Sequence, residues 1–187
     1  MKKSLIVIIV IVLILLICGS FIISRYNNMR TMRVDVDNGW AEVDNQLTRR
    51  YDLIPNFVET VKGYAKHERE VLTEVTEMRS RVGSAQNVQD KMDSNNELTS
   101  ALGRLMVVVE RYPELKANQN FIALQDELAG TENRLSVARK RYNDAVTALN
   151  RYLVVFPNNI LAGMFNIQQA EFFQAPEAAA TAPKIEF

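Results

Sequence analysis

Histidine is the side chain that most often binds metals or moves protons near neutral pH, and this chain has one, His67. It stands in Lys66-His67-Glu68-Arg69-Glu70, a charged run that reads as an exposed helix position. Glu70 and Glu74, Glu74 and Glu77, and Asp90 and Asp93 lie three or four residues apart. At that spacing each pair shares a helical face. Di-metal bundles combine such carboxylates with a Glu-x-x-His element, which is missing here, so the acids read as a solvated face. Triad chemistry needs a base beside its nucleophile, and no motif supports His67 in that role. There is no Gly-rich phosphate loop. Arg139-Lys140-Arg141 is a solvated shoulder of a helix, or a contact for an acidic partner or lipid headgroup. No catalytic, cofactor or metal residue is assigned, and the reading is of a protein that is not an enzyme.

The strongest pattern is physical rather than chemical. Leu5 to Ile23 is nineteen residues without a charge. At about 1.5 Å per helical residue the run matches a bilayer core of roughly 30 Å. A cleaved leader would carry a shorter apolar stretch and a small-residue cleavage site. Cys18 suggests a lipoprotein, but bulky Ile17 precedes it and the apolar run continues through Phe21-Ile22-Ile23. An uncleaved transmembrane anchor is therefore expected. Lys2 and Lys3 precede it, and Arg25, Arg30 and Arg33 follow it. This near-balance leaves the orientation open. Ser20 and Ser24 form a small-xxx-small pair, a pattern that lets two membrane helices approach.

The 22 basic and 22 acidic residues of the whole chain cancel, but no acid precedes Asp35, so the remainder is net acidic. That sign disfavours nucleic acid, whose phosphates need Lys and Arg. The only cysteine, Cys18, lies in the apolar run, so no disulfide framework exists within the chain. Three regions follow: an anchor and juxtamembrane segment over 1–34, a helical domain over 35–173, and a low-complexity tail over 174–187.

Apolar residues past Asp35 recur at steps of three and four. The first stripe is Trp40, Val43, Leu47, Tyr51, Ile54, Val58, Val61, Ala65; the longest runs from Phe121 through Leu128, Leu135, Tyr142 and Leu149 to Tyr152. Shorter stripes cover Leu72 to Val82 and Leu98 to Tyr112. An average step of 3.5 keeps one face apolar over many turns and calls for long, nearly parallel partner helices. The fold class is all-α: an N-terminal transmembrane helix followed by a bundle of about four long helices. Gly83 to Asp90 reads as a loop, and Ser94-Asn95-Asn96-Glu97 as a capping box opening the third helix. Pro113 ends that helix, Asn118 or Asn120 caps the next, and Pro157 stops it. Pro55 predicts a kink in an otherwise continuous helix. Asn158 to Phe173 is mildly amphipathic and predicts a short helix, in which Phe165, Phe172 and Phe173 offer a second apolar surface.

Four segments are more specific than a bundle needs. They are Arg49-Arg50-Tyr51-Asp52-Leu53-Ile54-Pro55-Asn56, Glu110 to Asn118, Leu124 to Leu128 with Gly130-Thr131-Glu132-Asn133-Arg134, and Ala138-Arg139 with Tyr142 to Val146. With the apolar N-terminus and the closing Pro183-x-Ile185-x-Phe187, they closely resemble the bacterial LemA family, in order, from Trp40 to Phe165 and again in the tail. The resemblance implies a single-pass protein of the bacterial cell (inner) membrane bearing an antiparallel bundle, and it brings no activity with it. Phe57, where the family tends to have Leu, and Asn38-Gly39 ahead of Trp40 depart from the pattern. Gly39 weakens a helix interior by about 1 kcal/mol.

Arg49, Arg50, Asp52, Asn118 and Asn133 form either one buried hydrogen-bond network that locks helix register or a docking surface. The expected partners are the lipid bilayer through Leu5 to Ile23, a second copy of the chain, and a membrane protein partner. The functional expectation is a scaffold or adaptor that self-assembles at the membrane, with a module regulating a membrane protease or signalling partner as the alternative.

Overall fold

The computed structural model describes residues 2–174, with side chains from residue 5 onward. Six helices are present among them: α1 Lys2–Tyr64, α2 Arg69–Ser84, α3 Val88–Val109, α4 Pro113–Lys116, α5 Gln119–Val154 and α6 Asn158–Met164. No strand occurs among the described residues. The segment read as a tail lies, past Gln174, outside them.

The chain forms two compact units. The first joins the residues up to Gly39 to Tyr142–Glu171, and the second joins Trp40–Arg141 to the residues from Phe172.

In the second unit α1 and α5 run antiparallel, since Glu42 meets Arg141, Arg50 meets Glu132 and Phe57 meets Phe121. α2 and α3 form an antiparallel hairpin, tied by Arg81–Glu97, Arg104–Glu74 and Arg111–Glu68. The core comprises Ile54, Phe57 and Val61 from α1, Leu72 and Val75 from α2, Leu98, Leu102 and Leu105 from α3, and Phe121 from α5. Phe57 is buried, with its ring 5.3 Å from that of Phe121, so the departure from Leu is absorbed by an aromatic pair.

Pro55 does not interrupt α1. Its missing N–H would leave the carbonyl of Tyr51, one turn earlier, without its helical donor. Arg79 of α2 supplies one: its Nε donates to that oxygen at 2.9 Å, and its guanidinium lies 3.7 Å from the Tyr51 ring centre.

Local punctuation differs from the sequence expectation in three places. α2 continues through Ser84 and α3 begins at Val88, so the loop is three residues long rather than Gly83 to Asp90. Asn87, not Ser94, caps α3, accepting from the Asp90 amide at 2.8 Å. Ser94 to Glu97 lie inside the helix, where Glu97 pairs with Arg81 on α2. Pro113 opens the single turn of α4, while Asn118 caps α5 as expected, accepting from the Phe121 amide at 3.0 Å.

In the first unit α1 passes through Asn38-Gly39 without a break. A Cβ on Gly39 would sit 3.1 Å from the Cα of Tyr142, so the glycine permits close backbone approach to α5. Met29 and Val36 of α1 are buried, as are Val146, Leu149 and Leu153 of α5. The expected helix from Asn158 to Phe173 stops at Met164; Phe165 and Asn166 form a turn, and the described residues after them have no regular secondary structure. Side chains of α5 hold this course, and Asn150 satisfies both backbone groups of Ala170. Its Oδ1 accepts from the Ala170 amide and its Nδ2 donates to the Ala170 carbonyl, both at 2.8 Å. Tyr142 Oη donates to the Glu171 carbonyl at 2.8 Å.

Candidate functional site

Arg50 lies on the core stripe of α1. The most deeply buried positions run Val43, Leu47, Arg50, Ile54, Phe57, Val61, alternating steps of four and three, while Tyr51 is only half-buried. An arginine in a core register must find acceptors or its burial is prohibitive. Its Nη1 donates to Asn95 Oδ1 at 3.2 Å and to Thr99 Oγ1 at 2.9 Å, both on α3, and lies 2.9 Å from Glu132 Oε2 on α5. Arg50 is 4% exposed. Asn95 and Thr131 are fully buried at the same level, Thr131 donating to the Glu127 carbonyl of its own helix at 2.8 Å. Three helices thus contribute to one polar layer inside an otherwise apolar core.

Glu132 also faces a second guanidinium, since Arg139 Nη1 stands 3.6 Å from its Oε1. Arg139 in turn covers the ring of Phe173, 4.5 Å from its centre. Two cations therefore share one carboxylate. Burial pushes the Arg50 guanidinium below its usual range; Glu132 opposes this and Arg139 adds to it. Burial does the same to Arg139, again opposed by Glu132. Nε of Arg50, Nδ2 of Asn95, and Nε and Nη2 of Arg139 are buried without an acceptor. This layer can lock register and attract negative charge. It contains no nucleophile paired with a base.

The expected network gathers fewer of the motif residues than their clustering in sequence suggests. Arg50 is in it, whereas Arg49 points outward to Glu127 at 2.5 Å and Asp52 and Asn133 are exposed. Asn118 serves the α5 terminus and donates to Tyr64 Oη at 2.9 Å. Asn95, Thr99 and Glu132 complete the layer. In the sequence Glu132 belongs to the Gly130–Arg134 segment and Asn95 to the Ser94–Glu97 pattern of a capping box. The four–three spacing of the α1 stripe passes through Arg50 rather than Tyr51.

The remaining candidates are dispersed. His67 is exposed, but in the turn between α1 and α2 rather than on a helix. Glu74 is half-buried and held by Arg104, whose Nε lies 3.1 Å away. Asp93 accepts from Gln89 at 3.2 Å and Asp90 from Asn87 at 2.7 Å. No group of three or more His, Cys, Asp or Glu side chains converges among the described residues. The basic triplet divides, with Arg139 directed into the layer and Arg141 bonded to Glu42 at 2.8 Å.

The first unit has a polar cluster of its own. Tyr152 Oη accepts from Arg25 Nη1 at 3.2 Å and from Asn28 Nδ2 at 3.4 Å. Burial raises the Tyr152 phenol, but these donors outweigh it and the net shift is downward. Beside this pair the ring of Phe165 lies 4.8 Å from that of Tyr26. Leu5 to Ile23 is exposed throughout except at half-buried Gly19, and α1 is there long and apolar enough to cross a membrane.

Fold and site together define an all-α bundle protein with an interior polar layer and a candidate membrane span at its N-terminus. The chain belongs to the LemA family, whose model matches residues 39–187. It is 26% identical to the magnetosome proteins MamQ 1 and MamQ 2 of Paramagnetospirillum magneticum, over 86% of this chain and 68% of each relative. It is 23% identical to the protein LemA of Metamycoplasma hominis, over 83% of this chain and 71% of that one.

Proposed function

We propose that this protein is a non-enzymatic scaffold or adaptor, anchored in the bacterial cell (inner) membrane through Leu5 to Ile23 and self-assembling there. The observation that carries the reading is the uncovered apolar length of α1, where none of the most apolar stretch is buried. Contiguous apolar surface of that extent is not left in water. The polar layer supports a structural role, because its donors hold three helices in register and supply no proton-transfer pair. Confinement to a bilayer aligns copies and raises their effective concentration, so modest contacts between bundles suffice for assembly.

The test is the mass of the full chain extracted in mild detergent, read by native electrophoresis and by crosslinking in cells, after alkaline carbonate washing of the membranes. Resistance to the wash and a mass of several copies are expected. Release by carbonate would remove the anchor. A monomer crosslinked only to a different protein would replace self-assembly with a module that presents its bundle to a membrane partner.

A further inference from the structure

Between Arg151 and Glu171 the chain carries no Asp, Glu, Lys or Arg over nineteen residues. This uncharged stretch is not simply core. Leu153, Leu161 and Ala162 are buried, but Val154, Val155, Phe156, Ile160, Met164 and Phe165 are exposed, Phe156 by 75% and Met164 by 71%. Isolated exposed apolar residues are ordinary on a protein surface. Six within twelve residues, with no charge among them, are a patch that needs a covering.

Its position within the first unit identifies the covering. Phe165 packs on Tyr26, and Tyr152 is bonded to Arg25 and Asn28. All three partners on α1 lie within five residues of Ile23, where the apolar run ends. At about 1.5 Å per residue, Tyr26 stands about 4.5 Å beyond that end. The headgroup zone on each side of a bilayer core is roughly 5–8 Å deep. The Tyr26–Phe165 pair and the Arg25–Tyr152 bond therefore fall at headgroup depth whenever the run spans, and the patch that begins two residues past Tyr152 falls beside them. Aromatic rings and an arginine are the side chains suited to that depth.

We propose that the turn after α5 together with α6 is a second membrane contact, seated in the interface of the leaflet through which α1 emerges. Phe156 and Met164 enter the acyl boundary, and Arg25 stays at the phosphates. The inference rests on the membrane-anchored reading of α1. A second copy of the chain fits the patch less well, because a standard protein interface draws about 20–30 residues from each side and this patch offers six. A shallow lipid contact has no such requirement, since its strength follows the apolar area immersed. Two contacts on α1 and α6 also restrain rotation of the first unit about the axis of α1, which a lone span leaves free.

The experiment uses the full chain with Cys18→Ser, reconstituted in phosphatidylcholine–phosphatidylglycerol vesicles. Single cysteines are introduced as Phe156→Cys, Met164→Cys, Leu15→Cys or Val107→Cys, and each is labelled with a polarity-sensitive nitrobenzoxadiazole fluorophore. Val107 is an exposed apolar residue of α3 in the other unit and serves as the water-facing reference. With lipids brominated near the headgroup end of their chains, Phe156→Cys and Met164→Cys should lose emission and shift to the blue, while Val107→Cys should not change. Adding Phe156→Asp should reduce the quenching at Met164→Cys, with the circular dichroism unaltered. If the two patch labels behave like Val107→Cys while Leu15→Cys is quenched by lipids brominated deep in the chain, this inference is wrong and the anchor stands. If Leu15→Cys is also unquenched, both readings fall. Disulfide-linked dimers of the unlabelled Met164→Cys protein, with the labelled protein unquenched, would assign the patch to a second copy and overturn the lipid contact.

Discussion

Arg79 donates its Nε–H to the carbonyl of Tyr51, the oxygen that Pro55 leaves without a helical partner. A residue on α2 thereby repairs a fault built into α1. Arg79→Ala should cost about 1–3 kcal/mol, the penalty of stranding a partly buried carbonyl. The discriminating measurement is a double-mutant cycle by urea unfolding. With Pro55→Ala the amide returns and the loss from Arg79→Ala should shrink, whereas equal losses in both backgrounds would show that the cation–aromatic contact alone stabilises the site.

The two glycines Gly39 and Gly103 should respond to alanine with opposite signs. Gly103 has open space around its missing Cβ, so Gly103→Ala should stabilise α3 by about 1 kcal/mol through helix propensity. At Gly39 the new methyl meets the backbone of Tyr142, which cannot swing away as a side chain can. Gly39→Ala should therefore lower the unfolding midpoint despite the same gain in propensity, and thermal melts of the two variants compare them directly.

Arg50→Ala removes the centre of the polar layer, leaving Asn95 without its guanidinium donor and Glu132 with Arg139 alone. Breaking a buried pair from one side costs about 3–5 kcal/mol, and the 38% exposure of the Glu132 side chain puts this loss at or below the lower end of that range. Arg50→Met, which keeps the length and removes the charge, should recover most of that loss only when Glu132→Gln is added. If Arg50→Met alone matched the wild type in chemical denaturation, the layer would not depend on its charges.

Leu135 is fully buried on α5, so Leu135→Ala should cost about 2–5 kcal/mol. Exposed Glu70→Ala should stay within about 0.5 kcal/mol. Glu74, expected on the same solvated face, is half-buried beneath the fork of Arg104, so Glu74→Ala should reach up to about 1 kcal/mol. Equilibrium unfolding of the three variants ranks them.

Burial raises the Tyr142 phenol above its ordinary 10.0; Arg33 opposes this, and Glu171 and Asp37 add to it. The neutral phenol is thus favoured in the folded state. Its contribution to stability is complete below about pH 10 and is lost as the pH rises through the folded value, because the unfolded chain releases its proton first. Stability measured up to alkaline pH should fall more steeply in the wild type than in Tyr142→Phe.

Residues read one at a time were enough for the elements that rest on local physics. An uncharged run of bilayer length, steps of three and four, and Asn118 ahead of Phe121 each act within a few turns. These features specify the apolar N-terminal helix, the all-α class and the start of α5. Cores are less local. Leu128, on the same stripe as fully buried Leu135 and Leu149, is only half-buried, because its exposure depends on which helix stands opposite.

Tertiary structure decided the points where backbone or charge had to be satisfied from a distance. Whether Arg50 or Tyr51 faced inward depended on Asn95, Thr99 and Glu132 being available on two other helices. Continuity of α1 across Pro55 needed Arg79, 24 residues later in the sequence. By sequence Phe173 belongs with Phe165 and Phe172 on an outward aromatic surface, yet it is 4% exposed beneath Arg139, while the other two remain exposed. The irregular course of the residues after Met164, where amphipathicity favoured a helix, follows from Asn150 and Tyr142 engaging their backbone. Hydrophobic period can place a side chain on a face, but a buried donor or acceptor is stable only where the fold delivers its partner.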